Sequence, residues 1–257
     1  MKRTLPPPDP FRFGWREVQQ IGPDGAKQWV RVPLTPEDLL HPKKGYQILE
    51  NTQQERDRGY LAVVLRYRLS SNPRALVLSD CLVDWGIPSL GNHSPDISVF
   101  DNVNDPEHRN WGTFRVAEEG ARPVLVIEIV SPDAHDRRVR DNDVVIKVRE
   151  YYRAGVPLYV IVDQEREGRP RQVIGYRRGA RKYLRMRTDR QGRLLLEPVR
   201  FLLGLKDERA VCRDADTGEE VGDLKAQAQA RQAAEAALAE AQARLRALEA
   251  QLRRNGS

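Results

Sequence analysis

The chain has little of what several functional classes require. It holds only two cysteines, Cys81 and Cys212, in 257 residues. Two thiols cannot build a disulfide framework or a cysteine zinc centre, and such sparing use fits a reducing compartment. No apolar run approaches the roughly 18 residues that span a bilayer. The opening stretch, MKRTLPPPDPFRF, has prolines where a secretory signal has an apolar core. The expected location is therefore cytoplasmic. Glycine-rich phosphate loops are missing too, which leaves an ATPase without support. Of the four histidines, His41, His108 and His135 show no zinc-site spacing. His93 stands three residues before Asp96 and has two readings, a contact to metal or phosphate and an ordinary loop histidine.

Charge, by contrast, is abundant. Charged residues make up 31% of the chain, with a formal net charge of +6. That balance permits a polyanionic partner such as nucleic acid but does not identify one. Part of the surplus is concentrated in YRRGARKYLRMR, residues 176–187. These residues could clasp a phosphate backbone, with Tyr176 and Tyr183 stacking on bases. They could equally be the charged solvent face of an edge hairpin.

The composition divides the chain into three parts. Residues 1–45 form a proline-rich N-terminal arm, expected to be loosely ordered with a short strand at QWVRVPL. Residues 46–220 read as one domain. It opens with a helix over 51–70, capped by Asn51 or Thr52 and stopped by Asn72-Pro73, with Glu55 in its first turn. Strands follow at 74–86, 95–101 and 124–130. A helix carrying Val145, Val148, Tyr151 and Tyr152 leads to Gly155 and a buried strand at 158–163. A hairpin about Gly179 and a strand at 192–198 complete it. The rhythm is that of an α/β fold, a mixed sheet with parallel members flanked by helices. Residues 221–257 contain a heptad seam, Leu224, Arg231, Leu238, Leu245 and Leu252, with Gln227, Ala234, Ala241 and Leu248 between. This predicts a C-terminal coiled-coil helix and a homodimer, with a solvated single helix as the alternative.

One residue breaks the pattern. In VLVIEIVSP, residues 124–132, six of the first seven side chains are aliphatic and the seventh is Glu128. An unpaired carboxylate in a buried strand costs several kcal/mol, so a compensating partner is required. Asp96, after Pro95 at the mouth of a second apolar strand, is the other misplaced acid. Two carboxylates at neighbouring strand ends repel unless a cation lies between them, and Mg²⁺ favours one or two carboxylates. Lys147, with Asp143 one turn before it, could bring an ammonium to the same place and orient a water. Plainer readings stay open: Asp96 as a turn residue, Glu128 paired to a buried arginine, Asp143 and Lys147 as a helix-surface pair.

Taken together, SPDISVF, VLVIEIVSP, Asp143, Lys147, Tyr151 and AGVPLYVIVDQE resemble the PD-(D/E)XK restriction-endonuclease-like superfamily, and within it the Uma family, over about residues 45–220. The resemblance implies a restriction-endonuclease-like mixed sheet with the active site at the strand ends. It implies that Asp96 and Glu128 bind Mg²⁺ or Mn²⁺, with the backbone carbonyl of Ile129 as a further ligand. The superfamily pattern has a lysine two residues after the second acid, where this chain has Val130; Lys147 resembles the relocated lysine of the family. Glu55 corresponds to an acid that the first helix sometimes adds. The resulting expectation is a metal-dependent endonuclease acting on DNA through Asp96, Glu128 and Lys147. The competing expectations are a catalytically weak nuclease-fold binding or scaffold protein acting through its coiled tail, and a small-molecule phosphoesterase.

Overall fold

The computed structural model of the chain describes residues 9–23, 25–107, 109–130, 137–165 and 169–222, together with positions 242 and 244. It divides into two compact units, Met1–Glu219 and Glu220–Ser257. In the second unit, Gln242 and Arg244 are helical and exposed; the heptad seam from Leu224 to Leu252 lies outside the described residues. No helix among the described residues is long and apolar enough to cross a membrane.

The first unit begins with an antiparallel hairpin, β1 (Gly14–Ile21) and β2 (Lys27–Pro33), running from Trp15 opposite Pro33 to Ile21 opposite Lys27. The short strand expected near residues 28–34 is present, but among the described residues of the arm it pairs in a hairpin and leads into a helix where loose chain was expected. The arm's described prolines fall outside the two strands, except Pro33 at the last position of β2. Helix α1 (Pro36–Leu40) follows, closed by a Thr35–Asp38 capping box. Strand β3 (Gln47–Ile48) pairs with the start of β1. Gly14 makes that approach possible: its φ is +108°, and a Cβ there would lie 1.8 Å from the Gln47 carbonyl oxygen.

Helix α2 (Thr52–Leu69) starts at Asn51, whose side chain accepts the Gln54 N–H at 2.8 Å. Its buried stripe is Asp57, Tyr60, Leu61, Val64 and Leu65. Then come β4 (Leu76–Ser79), β5 (Val83–Asp84), β6 (Ile97–Asp101), β7 (Phe114–Arg115), α3 (Val116–Glu119) and β8 (Arg122–Ile129). The connection to β9 (Leu158–Asp163) is α4 (Arg137–Asp141), a π turn (Asn142–Ile146) and α5 (Lys147–Arg153). Strands β10 (Gln172–Arg178), β11 (Tyr183–Arg185), β12 (Leu194–Leu196), β13 (Phe201–Lys206) and β14 (Arg209–Asp214) complete the unit.

The central sheet has the order β11-β10-β9-β8-β6-β4. Only β8 and β9 are parallel; the other neighbours are antiparallel. A parallel pair needs a long crossover, and here the α4–α5 segment supplies it. Alternation along β8 sends Val126, Glu128 and Val130 to one face, where the first and last join a core with Trp85, Phe100, Tyr151, Tyr159 and Ile161. Leu125, Ile127 and Ile129 project to the opposite face, and α2 packs against β4, β6 and β8. The mixed α/β sheet expected from the sequence is what the chain forms. A second small sheet, β12-β13-β14, packs against β10 and α2.

Candidate active site

Register brings the two misplaced acids together. Ile97 on β6 stands opposite Ile127 on β8 in an antiparallel pair, so one step along each strand sets Asp96 opposite Glu128. Residues so placed have Cβ atoms about 5 Å apart and share a face. Asp96 Oδ2 accepts the backbone N–H of Ile129 at 2.7 Å, which ties the mouth of β6 to the end of β8. Both acids are buried, Asp96 at 7% exposure and Glu128 at 3%.

Lys147 reaches the same point from α5. Its Nζ lies 2.9 Å from Glu128 Oε1 and 2.8 Å from Asp143 Oδ1. Tyr151, one turn further along, donates its hydroxyl proton to the same Glu128 Oε1 at 2.6 Å. The partner that Glu128 required is therefore an ammonium with a phenol, and no guanidinium contacts either acid among the described residues. Val130 sits in the core at 2% exposure, and the ammonium beside Glu128 is that of Lys147, on the helix.

The electrostatics follow from this crowding. Asp96, Glu128 and Asp143 face the Lys147 ammonium, three acids to one cation at their contact. Burial, then the neighbouring Glu128 charge, push the Asp96 carboxyl well above the usual carboxylate range. Burial also raises Glu128, while Lys147 and the Tyr151 hydroxyl pull it back. Burial alone would lower Lys147, but Asp143 and Glu128 outweigh it and hold the group above its ordinary value as an ammonium.

Each acid also keeps one oxygen in reserve. Glu128 Oε1 takes both donors, and Oε2 takes none among the described residues. Asp96 spends Oδ2 on Ile129, while Oδ1 has only a long 3.4 Å contact from the Gln54 amide. Both acids line a cleft of about 220 Å³ with Ile129, Asn142, Asp143 and Lys147, walled on another side by Phe13, Ile48 and Leu49. Two adjacent half-satisfied carboxylates amid excess negative charge are a donor set that fits a hard divalent ion.

Other candidates fall elsewhere. Glu55 is exposed and does not line the cleft; its neighbour Gln54 does, and touches Asp96. A signal for this was available, because Gln54 precedes the buried Leu61 by seven residues, two helical turns, whereas Glu55 points away. Of the outer acids in the cleft, Glu50 and Asp80 share Arg58. His93 is fully buried outside the cleft lining. Its Nε2 and the Nε2 of His41 approach Glu150 at 2.8 and 3.3 Å, a grouping with the composition of a metal centre. Trp85 argues against that use. Its indole N–H donates to His93 Nδ1 at 2.8 Å, so neutral His93 carries its proton on Nε2 and gives it to Glu150. The nitrogen facing the cluster has no lone pair to offer. In the basic hairpin Tyr183 is buried and donates to the Val156 carbonyl, which takes it out of reach of a stacking base, while Tyr176 is half-buried. His108 and His135 lie outside the described residues.

A model of the Uma2 family, described as "Putative restriction endonuclease", matches residues 49–210. Among solved structures, the crystal structure of a "putative nuclease belonging to DUF820" from Anabaena variabilis is similar, with a TM-score of 0.42 and 16% identity over 65% of this chain and 91% of that one. No curated protein matches. The family match spans more than half of the chain and includes Asp96, Glu128 and Lys147; the chain belongs to the Uma2 family of restriction-endonuclease-like proteins.

Proposed function

We propose that the chain is a divalent-metal-dependent endonuclease that hydrolyses phosphodiester bonds of DNA. The observation that carries this reading is the pair of buried acids, Asp96 and Glu128, each with one oxygen left open toward the same cleft. Asp96 and Glu128 would hold Mg²⁺ or Mn²⁺, with the Ile129 carbonyl as a further ligand. Bound there, the cation supplies positive charge against the scissile phosphate and makes a water easier to deprotonate.

The remaining work falls to the chain. Lys147 spends two of its three protons on Glu128 and Asp143, which leaves one for a water or a phosphate oxygen. Because the two carboxylates keep it charged, it serves as a donor and electrostatic stabiliser, not as a base. Asp143 fixes the ammonium from behind. The positive balance of the chain favours sequence-independent attraction to a phosphate backbone. The C-terminal heptads would pair two copies in the cytoplasm.

Cleavage of single- and double-stranded DNA with Mg²⁺ or Mn²⁺ tests this reading in wild type and Glu128→Ala. Metal-dependent cleavage by wild type, lost in the variant, is the expected result. Equal cleavage by both overturns it, and a wild type that does not cleave leaves the fold as a binding scaffold.

A further inference from the structure

We propose that Tyr151 is a positioning residue of the cleft: with Lys147 it captures Oε1 of Glu128 and so leaves Oε2 as the oxygen presented to a cation. This rests on the metal reading above and adds a residue which that reading does not need.

The terminal torsion of a glutamate is soft and roughly two-fold, so one flexible partner does not decide which oxygen points where. Lys147 is such a partner, a point charge on a four-carbon stem whose three protons serve any direction. Tyr151 differs on both counts. It has a single proton to donate, and that proton goes to Oε1 at 2.6 Å. Its ring is fully buried and held on three sides, with centroids 5.8 Å from Trp85, 4.8 Å from His93 and 4.9 Å from Tyr159. Two of those neighbours are themselves fixed, because Trp85 donates to His93 and His93 donates to Glu150. The donor direction is therefore set by packing. Lys147 and Tyr151 lie four residues apart on α5, one above the other on the helix face, so both donors reach one oxygen from the same side. With Oε1 doubly occupied, the carboxylate cannot rotate without breaking two buried hydrogen bonds. The His93–Glu150 grouping thereby gains a use that is not metal binding: it helps brace the tyrosine.

The test measures Mn²⁺ binding to the full chain by calorimetry, without DNA, beside thermal unfolding of each variant. Tyr151→Phe should weaken Mn²⁺ about tenfold, as loss of a group that orients a metal ligand does. Para-fluorophenylalanine at position 151 fills the hydroxyl's space with no proton to donate; it should weaken Mn²⁺ as Phe does and keeps the test open if Tyr151→Phe does not fold. Tyr183→Phe is the control, since it also loses a buried hydroxyl bond, to the Val156 carbonyl at 2.7 Å, without touching Glu128. Its affinity should stay within about twofold of wild type. Folded Tyr151 variants that bind Mn²⁺ as wild type does overturn the positioning role alone. A wild type that binds no Mn²⁺ overturns the metal reading and this inference with it.

Discussion

Among the described residues of the first unit four acids are buried, and they fall into two pairs that teach different things. Asp57 and Asp163 are finished. Asp57 gives one oxygen to the Arg171 guanidinium at 2.6 Å and the other to the Ala210 N–H at 3.2 Å. Asp163 receives Arg140 at both oxygens, 2.8 and 2.7 Å, with Gln172 at 3.0 Å. Asp96 and Glu128 are unfinished, each with one oxygen committed and one facing the cleft. Both pairs are buried, so burial alone does not mark a functional acid. The distinguishing feature is incomplete hydrogen bonding beside an excess of like charge, a state that costs stability and is kept where a ligand completes it.

The sharpest way to break this comparison is to neutralise one acid from each pair. Glu128→Gln should reduce DNA cleavage about a thousandfold, roughly 4 kcal/mol, because a divalent ion contributes several kcal/mol of charge stabilisation. Its thermal midpoint in metal-free buffer should hold or rise, since repulsion with Asp96 is relieved. Asp57→Asn should do the reverse. It strands the Arg171 guanidinium, 1% exposed, and should cost about 3–5 kcal/mol of stability in urea unfolding while activity per folded molecule is retained. If Glu128→Gln unfolds the protein and Asp57→Asn does not, the two pairs have been assigned the wrong way round.

Much of this was legible in the sequence, for identifiable reasons. An acid inside an aliphatic strand is conspicuous, so Glu128 could be singled out before any partner was known. Asp143 and Lys147, four apart, could be placed on one helix face. The π turn at Asn142–Ile146 was not foreseeable, because no residue there is reserved for that geometry. Asp57 was passed over although it precedes Leu61 by four, on the buried face of α2; its partner Arg171 is 114 residues away, and only the tertiary structure joins them. The N-terminal hairpin was missed because the prolines around it weighed more than the turn residues Gly22, Pro23, Asp24 and Gly25 within it. Trp85 was missed as well: its indole N–H fixes the tautomer of His93, and the exchange of backbone bonds between Val83 and His93 that brings the two segments together is not announced by local patterning.

A smaller effect sharpens the comparison inside the cleft. Lys147→Met removes the only cation in contact with Glu128 among the described residues and leaves the acids to themselves. Cleavage should fall about a hundredfold, roughly 3 kcal/mol, through loss of a donor to the developing phosphate charge. Mn²⁺ affinity, read by calorimetry, should stay level or increase, since the site becomes more negative. Loss of Mn²⁺ binding in a folded Lys147→Met would mean that the lysine holds the acids in place and does not serve the chemistry.

The smallest expected effect concerns the brace behind Tyr151. Burial pushes His93 below its ordinary value of 6.5 even though Glu150 accepts its proton, and Lys147 and His41 add repulsion. Its folded pKa therefore lies below the unfolded one. As pH falls through 6.5 the unfolded chain takes up a proton that the folded chain refuses, so stability present above that pH is lost below it. Glu150, raised by burial but lowered further by His93, ends below its ordinary 4.5, so its own contribution fades only under more acidic conditions. Asp96 and Glu128 act in the opposite sense, because their raised values favour the folded chain in acid. The net melting curve mixes these terms, and a variant is needed to separate them. In His93→Gln an amide oxygen can accept from Trp85 while its NH₂ donates to Glu150, with nothing to titrate. The difference in thermal midpoint between wild type and His93→Gln should thus shrink in wild type's disfavour as pH falls below 6.5. A difference that stays constant across that range would show that His93 is not held neutral by Trp85, and would reopen its Nε2 to a metal.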